Sequence, residues 1–337
     1  MSRQDRLATD LDRGFSALEE GRVDDAIAAL ERVQRIDKQN PDVVTLAAAV
    51  ADAQGDFESA LASYRTLAEL RPDDPMPRVC VARILLQDQG DAETALATIE
   101  AAFDFIDEEE DLIEAVIVRT EALLAIGDPE TARESLAELS SSVIDDADLA
   151  LDLADLSLAA EDLDAARRWI EIARKEKRLE PDALHLLGRI CEAAGDRKGM
   201  IDAWQQVRVL DAALPPPQVS ISEDELERIA SEALAELPIE VRDKLERAPI
   251  LIDDVPGEDL VAEGLDPRML GVFSGTPMTE GSSAVPSVTN IRLFKTNLER
   301  AAHDLDHLAE EIRITVLHET AHYFGLDEED LEAIGLD

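Results

Sequence analysis

The feature that most restricts this chain is a turn position recurring about every 34 residues. Gly21, Gly55, Gly90, Gly127, Glu161 and Gly195 stand at spacings of 34, 35, 37, 34 and 34. Five residues after each comes a small or slim side chain: Ala26, Ala60, Ala95, Ala132, Ala166 and Met200. Four and seven residues further on come apolar pairs: Leu30/Val33, Tyr64/Leu67, Ile99/Ala102, Leu136/Leu139, Ile170/Ala173 and Trp204/Val207. Offsets of 0, +4 and +7 lie on one face of a helix, so each period ends in an amphipathic helix entered through a tight turn. Self-similarity at this period demands a solenoid, because one helical pair cannot bury its apolar face alone. Pro41, Pro72 and Pro181 mark helix starts or ends. The 37-residue spacing predicts an insertion in the fourth unit, expected after the acidic run Asp107–Asp111 as a longer loop or helix extension.

The period, with its Gly…Ala…apolar…apolar order, resembles the tetratricopeptide repeat, and the resemblance covers roughly residues 7–213 in about six units. It implies two antiparallel helices per unit and a concave groove that receives a protein or peptide partner. The large aromatic residue of the family's first helix is mostly missing. Leu214-Pro215-Pro216-Pro217-Gln218 cannot continue a helix and predicts an extended spacer. The expected organisation is an all-α solenoid over 1–213, a proline-rich linker over 214–220 and a second domain over 221–337.

Composition limits the partners. The formal net charge is −44, divided into −25 over 1–217 and −19 over 218–337. Such a field repels phosphate backbones and favours basic peptides or proteins, so nucleic acid is excluded as a partner. The same acidity also serves as plain surface solvation. No apolar run approaches a membrane span. The start, Met1-Ser2-Arg3-Gln4-Asp5-Arg6, lacks the apolar core of a signal peptide, and the expected location is cytoplasmic. Cys80 and Cys191 fall in helical patterns of different repeats and are expected as small buried apolar residues. The sequence leaves the oligomeric state open.

Past the prolines the pattern changes. Ser222-x-x-Glu225 predicts a capping box on a helix to about Ala235, and a second helix is expected from Ile239 to Arg247. Ala248–Ile252, Leu270–Ser274 and Asn290–Phe294 read as strands, the last two separated by the Gly/Ser/Pro-rich stretch Gly275–Ser287. A long helix is expected from Leu308 to Phe324, with Ile314, Leu317, Ala321 and Phe324 on its buried face.

That helix ends in His318-Glu319-Thr320-Ala321-His322-x-x-Gly325. Residues four apart share a helix face, so His318 and His322 can present ring nitrogens to one ion. Two neutral imidazoles suit Zn²⁺, and a catalytic site adds a third protein ligand and an open position. Glu319 stands beside them, where a carboxylate can act as general base. Gly325 lets the chain leave the helix sharply, into Leu326-Asp327-Glu328-Glu329-Asp330. The third ligand is Glu328, Asp330 or Asp327, with Glu328 at the position the motif's spacing favours. These acids also suit the start of a short final helix, Glu328–Ile334.

A second pair, His303-Asp304-x-x-His307, repeats the spacing with a shorter carboxylate and without the following glycine. It reads as an exposed helix-start pair. His185 reads as a packing or surface residue of the sixth repeat.

From about residue 219 onward the chain resembles the bacterial minimal-zincin family of metallopeptidases. The resemblance rests on Leu237-Pro238-x-Glu240, Gly271-Val272-Phe273-x-Gly275-x-Pro277-x-Thr279-Glu280, Asn290–Phe294, Leu298–Ala302 and Thr315–Gly325. It implies a small α+β zincin core, zinc on His318 and His322, Glu319 as base and an acidic ligand after Gly325. Tyr323 and Gly281 depart from the family's usual residues. Tyr323, Arg292 and Thr279 are candidates to stabilise an oxyanion. Zincins bind substrate along a strand edge, and Asn290, Ile291, Arg292, Leu293 and Phe294 are either that edge or an ordinary core strand. The reading is a zinc peptidase with a recruiting repeat array; the alternative is an adaptor whose zincin module is inactive or structural.

Overall fold

The computed structural model describes residues 2–237, 249–276 and 287–323, excepting the side chains of 273–276, 287–289, 319 and 321–323. The helix expected at 239–247 and everything expected beyond Tyr323 lie outside them. By packing, the chain divides into two compact units, Met1–Glu176 and Lys177–Asp337.

The first unit contains five helical hairpins. They are α1 (Arg3–Glu19) with α2 (Val23–Asp37), α3 (Pro41–Ala53) with α4 (Phe57–Leu70), α5 (Met76–Gln87) with α6 (Ala92–Glu100), α7 (Glu109–Ala125) with α8 (Pro129–Ala137), and α9 (Ala147–Ala159) with α10 (Leu163–Ala173). The repeat residues do what their spacing predicts. Ala26, Ala60, Ala95, Ala132 and Ala166 are wholly buried, so their methyl groups set how closely the paired helices approach. The turn residues Gly21, Gly55, Gly90, Gly127 and, in the second unit, Gly195 all have positive φ, between 64° and 78°. In each of these turns the next residue's N–H reaches back into the preceding helix, as when Asp56 N–H donates to Ala51 O at 2.9 Å.

Sequence reasoning missed the other half of this turn. In all but the first repeat the residue after the turn position is aspartate, and its carboxylate caps the next helix. Asp56 accepts from Ser59 N–H at 3.1 Å, Asp91 from Thr94 and Asp128 from Thr131, each at 3.1 Å, and Asp162 from Ala165 at 3.0 Å. These bonds to the charged form hold Asp56, Asp91 and Asp128 below the usual carboxylate range.

Glu161 occupies the same left-handed conformation with φ 59°, the one non-glycine to do so among the described residues. An L-residue there costs roughly 1–2 kcal/mol, part of which glycine gives back in unfolded-chain entropy. Glu161→Gly is therefore expected to stabilise the first unit by about 0.5–1 kcal/mol. A rise in urea midpoint at unchanged m-value would show it, and an unchanged midpoint would count against strain at this turn.

The fourth-unit insertion takes the form of a helix extension, with the acidic run at its start rather than ahead of it. The acidic run opens α7, whose first turn holds Glu109, Glu110 and Asp111 at the helix's positive end. The extra residues lengthen α7 to 17 residues, against 13, 12, 13 and 14 in α3, α5, α9 and α11, and a 3-10 turn, Phe103–Phe105, lies directly before it. Arg119 fastens this region: its guanidinium covers the Phe103 ring at 3.9 Å and donates to Ser135 and Glu138.

The second unit opens with the sixth hairpin, α11 (Glu180–Ala193) and α12 (Arg197–Asp211). Then come α13 (Glu223–Glu236), β1 (Ile250–Asp253), α14 (Glu258–Glu263), β2 (Gly271–Thr276), β3 (Ser287–Phe294), α15 (Lys295–Ala301) and α16 (Leu305–Tyr323). The order β1-β3-β2 makes β3 central, parallel to β1 and antiparallel to β2. Ile291, Leu293, Leu298, Leu308, Ile312, Val316 and the apolar stripe Leu226, Ala230, Ala233 of α13 form the core. The expected capping box is half made: Ser222 accepts from Glu225 N–H, while the Glu225 carboxylate turns to Arg228.

Leu214, Pro215 and Pro216 are exposed and 215–217 are neither helix nor strand, and the residues directly after the prolines are docked. Val219 and Ile221 pack against the core. The buried Glu299 carboxylate accepts from Ser220 Oγ at 2.7 Å, Ile221 N–H at 3.1 Å and Lys295 Nζ at 2.6 Å. The prolines end the repeat pattern in the sequence, yet packing places the last hairpin with the residues that follow it.

Candidate metal centre

Helix α16 carries the candidate ligands His318 and His322. Its buried stripe is Leu308, Ile312, Thr315, Val316, Leu317 and Thr320. Of the expected face, Leu317 is buried and Ile314 half-buried, Ala321 and Phe324 lie outside the described side chains, and Thr315, Val316 and Thr320 are turned inward as well. The inward threonines escape the apolar pattern, because their hydroxyls look polar in sequence. Thr320 satisfies its own by donating to Val316 O at 2.6 Å, so it can sit in an apolar core.

His318, Glu319 and His322 all lie within this one helix, in its last two turns. One turn separates the two histidines, and Glu319 follows the first. His318 is half-buried. Two imidazoles one turn apart are a donor set that fits zinc. Glu328, Asp330 and Asp327 lie outside the described residues, as do Gly325 and Thr279. Among the described residues, no group of three His, Cys, Asp or Glu side chains stands ready for a metal.

The helix is held beside strand β2. A methyl group added at Gly271 would stand 2.9 Å from Thr315 Cγ2 and 3.0 Å from Leu293 Cδ2. Glycine at this position thus lets the start of β2 approach α16 one turn before His318.

Asn290–Phe294 is a core strand and not the edge, the second of its two readings. Ile291 pairs with Ile250 of β1 and Phe273 of β2, so both sides of β3 are occupied. Ile291, Leu293 and Phe294 are buried, and Arg292 Nη1 pairs with Asp253 at 3.1 Å. The edge strand β1, with Ile250, Leu251 and Ile252, is as apolar as this central stretch, so apolarity alone does not distinguish centre from edge. Among the described strands, β1 and β2 are the edges.

The second histidine pair behaves as read from the sequence. His303 is exposed, the His303 and His307 rings lie 4.3 Å apart, and their Nε2 atoms face Asp304 and Glu311 at 3.4 and 3.3 Å. His185 is a packing residue, with Nε2 on both Asp266 oxygens at 2.9 and 2.8 Å. Cys191 is buried and Cys80 half-buried, both as free thiols.

Residues 245–336 match the family of zincin-like metallopeptidases, while 17–79 and 121–181 match tetratricopeptide repeats. The chain joins a tetratricopeptide-repeat array to a small α+β zincin-like domain. Among solved structures it is similar to PilW, described as a widely conserved type IV pilus biogenesis factor. That likeness has 15% identity, covers 62% of this chain and 94% of that one, and has a TM-score of 0.53. PilF of Pseudomonas aeruginosa is similar at 18% identity, 63% and 95% coverage and a TM-score of 0.52. Both likenesses concern the repeat fold. No curated protein matches the chain.

Proposed function

We propose that the second unit is a zinc-dependent peptidase and that the repeats recruit a protein substrate or partner to it. The observation that carries this reading is the placement of His318, Glu319 and His322 on the last two turns of α16, within the stretch matching zincin-like metallopeptidases. His318 and His322 would hold the zinc, with Glu328 as third ligand, or Asp330 or Asp327 in its place. Bound zinc would supply Lewis-acid activation of water and polarisation of the scissile carbonyl. Glu319 takes the proton from the attacking water and delivers it to the leaving amine, which balances the hydrolysis of one peptide bond.

Substrate runs along β2. It is an edge strand, and its first residue packs against α16 at Thr315. An extended peptide pairing there gains main-chain hydrogen bonds close to the ligand helix. Asn290–Phe294 then acts from behind, as the strand that fixes β2.

The acidic charge supports a basic partner for the repeats. Asp111 and Asp152 are each pushed above the usual carboxylate range, first by burial and then by neighbouring carboxylates. A basic ligand would relieve that repulsion, and its binding should weaken steeply with salt.

Metal analysis of protein purified without chelator tests the reading. One zinc per chain is expected, lost in His318→Ala, together with cleavage of an unstructured basic peptide that a chelator stops. Zinc without cleavage would leave an adaptor with a structural zincin module. Absence of zinc would remove the proposal altogether.

A further inference from the structure

Strand β2 inherits its position from the segment before it, and that segment is held by the last repeat hairpin. Between α14 and β2 the chain passes through Asp266, Pro267, Arg268 and Met269. Arg268 grips both helices of the hairpin. Its Nε and Nη2 donate to the two oxygens of Asp211, at the end of α12, at 2.8 and 3.0 Å. Its Nη1 donates to Asp182, in the first turn of α11, at 2.7 Å. A planar guanidinium spans two carboxylates in this way, whereas an ammonium acts as a single point charge.

A second tie lies two residues upstream. Asp266 accepts from Arg268 N–H at 2.8 Å and pairs with His185 of α11. From the opposite side, buried Asn297 of α15 donates to Pro267 O and Met269 O at 2.9 and 2.8 Å. Leu270 O then accepts from Phe294 N–H at 2.8 Å, directly before β2 begins at Gly271. The hairpin also holds α14, through Arg197 on Glu263 O, Gln205 on Glu258 O and Val261 buried against Trp204.

We propose that Arg268 is a positioning residue for β2, and that α11 and α12 serve as a fixed wall of the zincin-like module. This rests on the reading of β2 as the strand a substrate pairs with. The repeat pattern runs on through the hairpin at Gly195, Met200, Trp204 and Val207, but the hairpin's polar groups are spent on residues 256–268. Loss of the guanidinium would leave Asp182 and Asp211 without their shared cation in a chain already strongly acidic. Their repulsion, with Asp266 close by, would part the loop from the hairpin and free the start of β2.

Amide hydrogen exchange on the full chain tests this. The background is Glu319→Gln, so that cleavage plays no part in the measurement. Arg268→Met is expected to speed exchange over 264–276 about tenfold or more while α13 keeps its protection. Asp182→Asn, at a half-exposed position, should act in the same direction and more weakly, and it guards against a failure of Arg268→Met to fold. Unchanged exchange over 271–276 in both variants would overturn the proposal, as would an equal rise in α13. With Glu319 restored, Arg268→Met should raise KM about fivefold or more and leave kcat within about twofold, as loss of a binding contact does. A fall in kcat at constant KM would overturn it. If the parent protein cleaves nothing, the peptidase reading fails, and the exchange result still decides whether Arg268 positions β2.

Discussion

Replacing Glu319 with glutamine should lower peptide cleavage by roughly 10²–10⁴-fold while the protein keeps its zinc. The amide has nearly the shape of the carboxylate but cannot accept the proton of the attacking water. Glu319 is next to one histidine and three residues from the other on a continuous helix, so the substitution leaves the backbone that presents both ligands intact. The helix is anchored by Leu308, Ile312 and Val316, which are wholly or almost wholly buried and stay untouched. Fold and metal content thus serve as internal controls. Equal zinc with equal cleavage in the variant would show that Glu319 is not the base. Equal zinc with no cleavage in either protein would favour the adaptor. Lost zinc would place Glu319 among the ligands or their supports. His318→Ala is the complementary change, expected to abolish both zinc and activity because one imidazole remains on the helix.

Much of this architecture is legible in the sequence, for a physical reason particular to each part. The repeats are legible because a left-handed turn residue and a small packing residue must recur wherever two helices close on each other. Even Glu161, which breaks the glycine pattern, takes the conformation its position dictates. The helix bearing His318 and His322 is legible because two side chains of one type four residues apart leave a signature that needs no tertiary information.

What escaped the sequence depended on contacts made across distance. The order of the three strands follows from pairing, and Asn290–Phe294 has the same composition whether central or at an edge. The buried stripe of α16 includes Thr315 and Thr320, whose hydroxyl groups mask their inward position. Glu299 gives no sign in sequence that it will close on Ser220 and Ile221, 79 and 78 residues away. The same holds for Arg268 and its aspartates. A signal was present for the aspartate caps, since aspartate follows the turn residue in five successive repeats.

The other large effect expected is on stability, at Trp204. Its indole is 2% exposed and lies against Gly188 of α11, and Nε1 donates to His185 O at 3.2 Å. Cys191, Met200 and Val261 complete its surroundings. Truncation of a buried tryptophan to alanine costs roughly 3–5 kcal/mol, a large share of the about 5–15 kcal/mol that keeps a domain folded. Trp204→Ala should therefore strip exchange protection from α11, α12 and α14, while α3 to α8 keep theirs. Trp169, the chain's other tryptophan, stands on α10 in the first unit. Its fluorescence consequently reports the first unit alone in this variant. Gly188 supplies the stricter test. A Cβ at that position would collide with the indole ring, so Gly188→Ala alone should destabilise by about 1–3 kcal/mol through overpacking. Once the indole is gone, the added methyl group meets open space and fills part of the cavity. The double variant is therefore expected to be no less stable than Trp204→Ala alone, a coupling comparable to the full cost of Gly188→Ala. Additive losses would mean that the glycine answers to the helix backbone, and that the tryptophan does not set the spacing of the last hairpin.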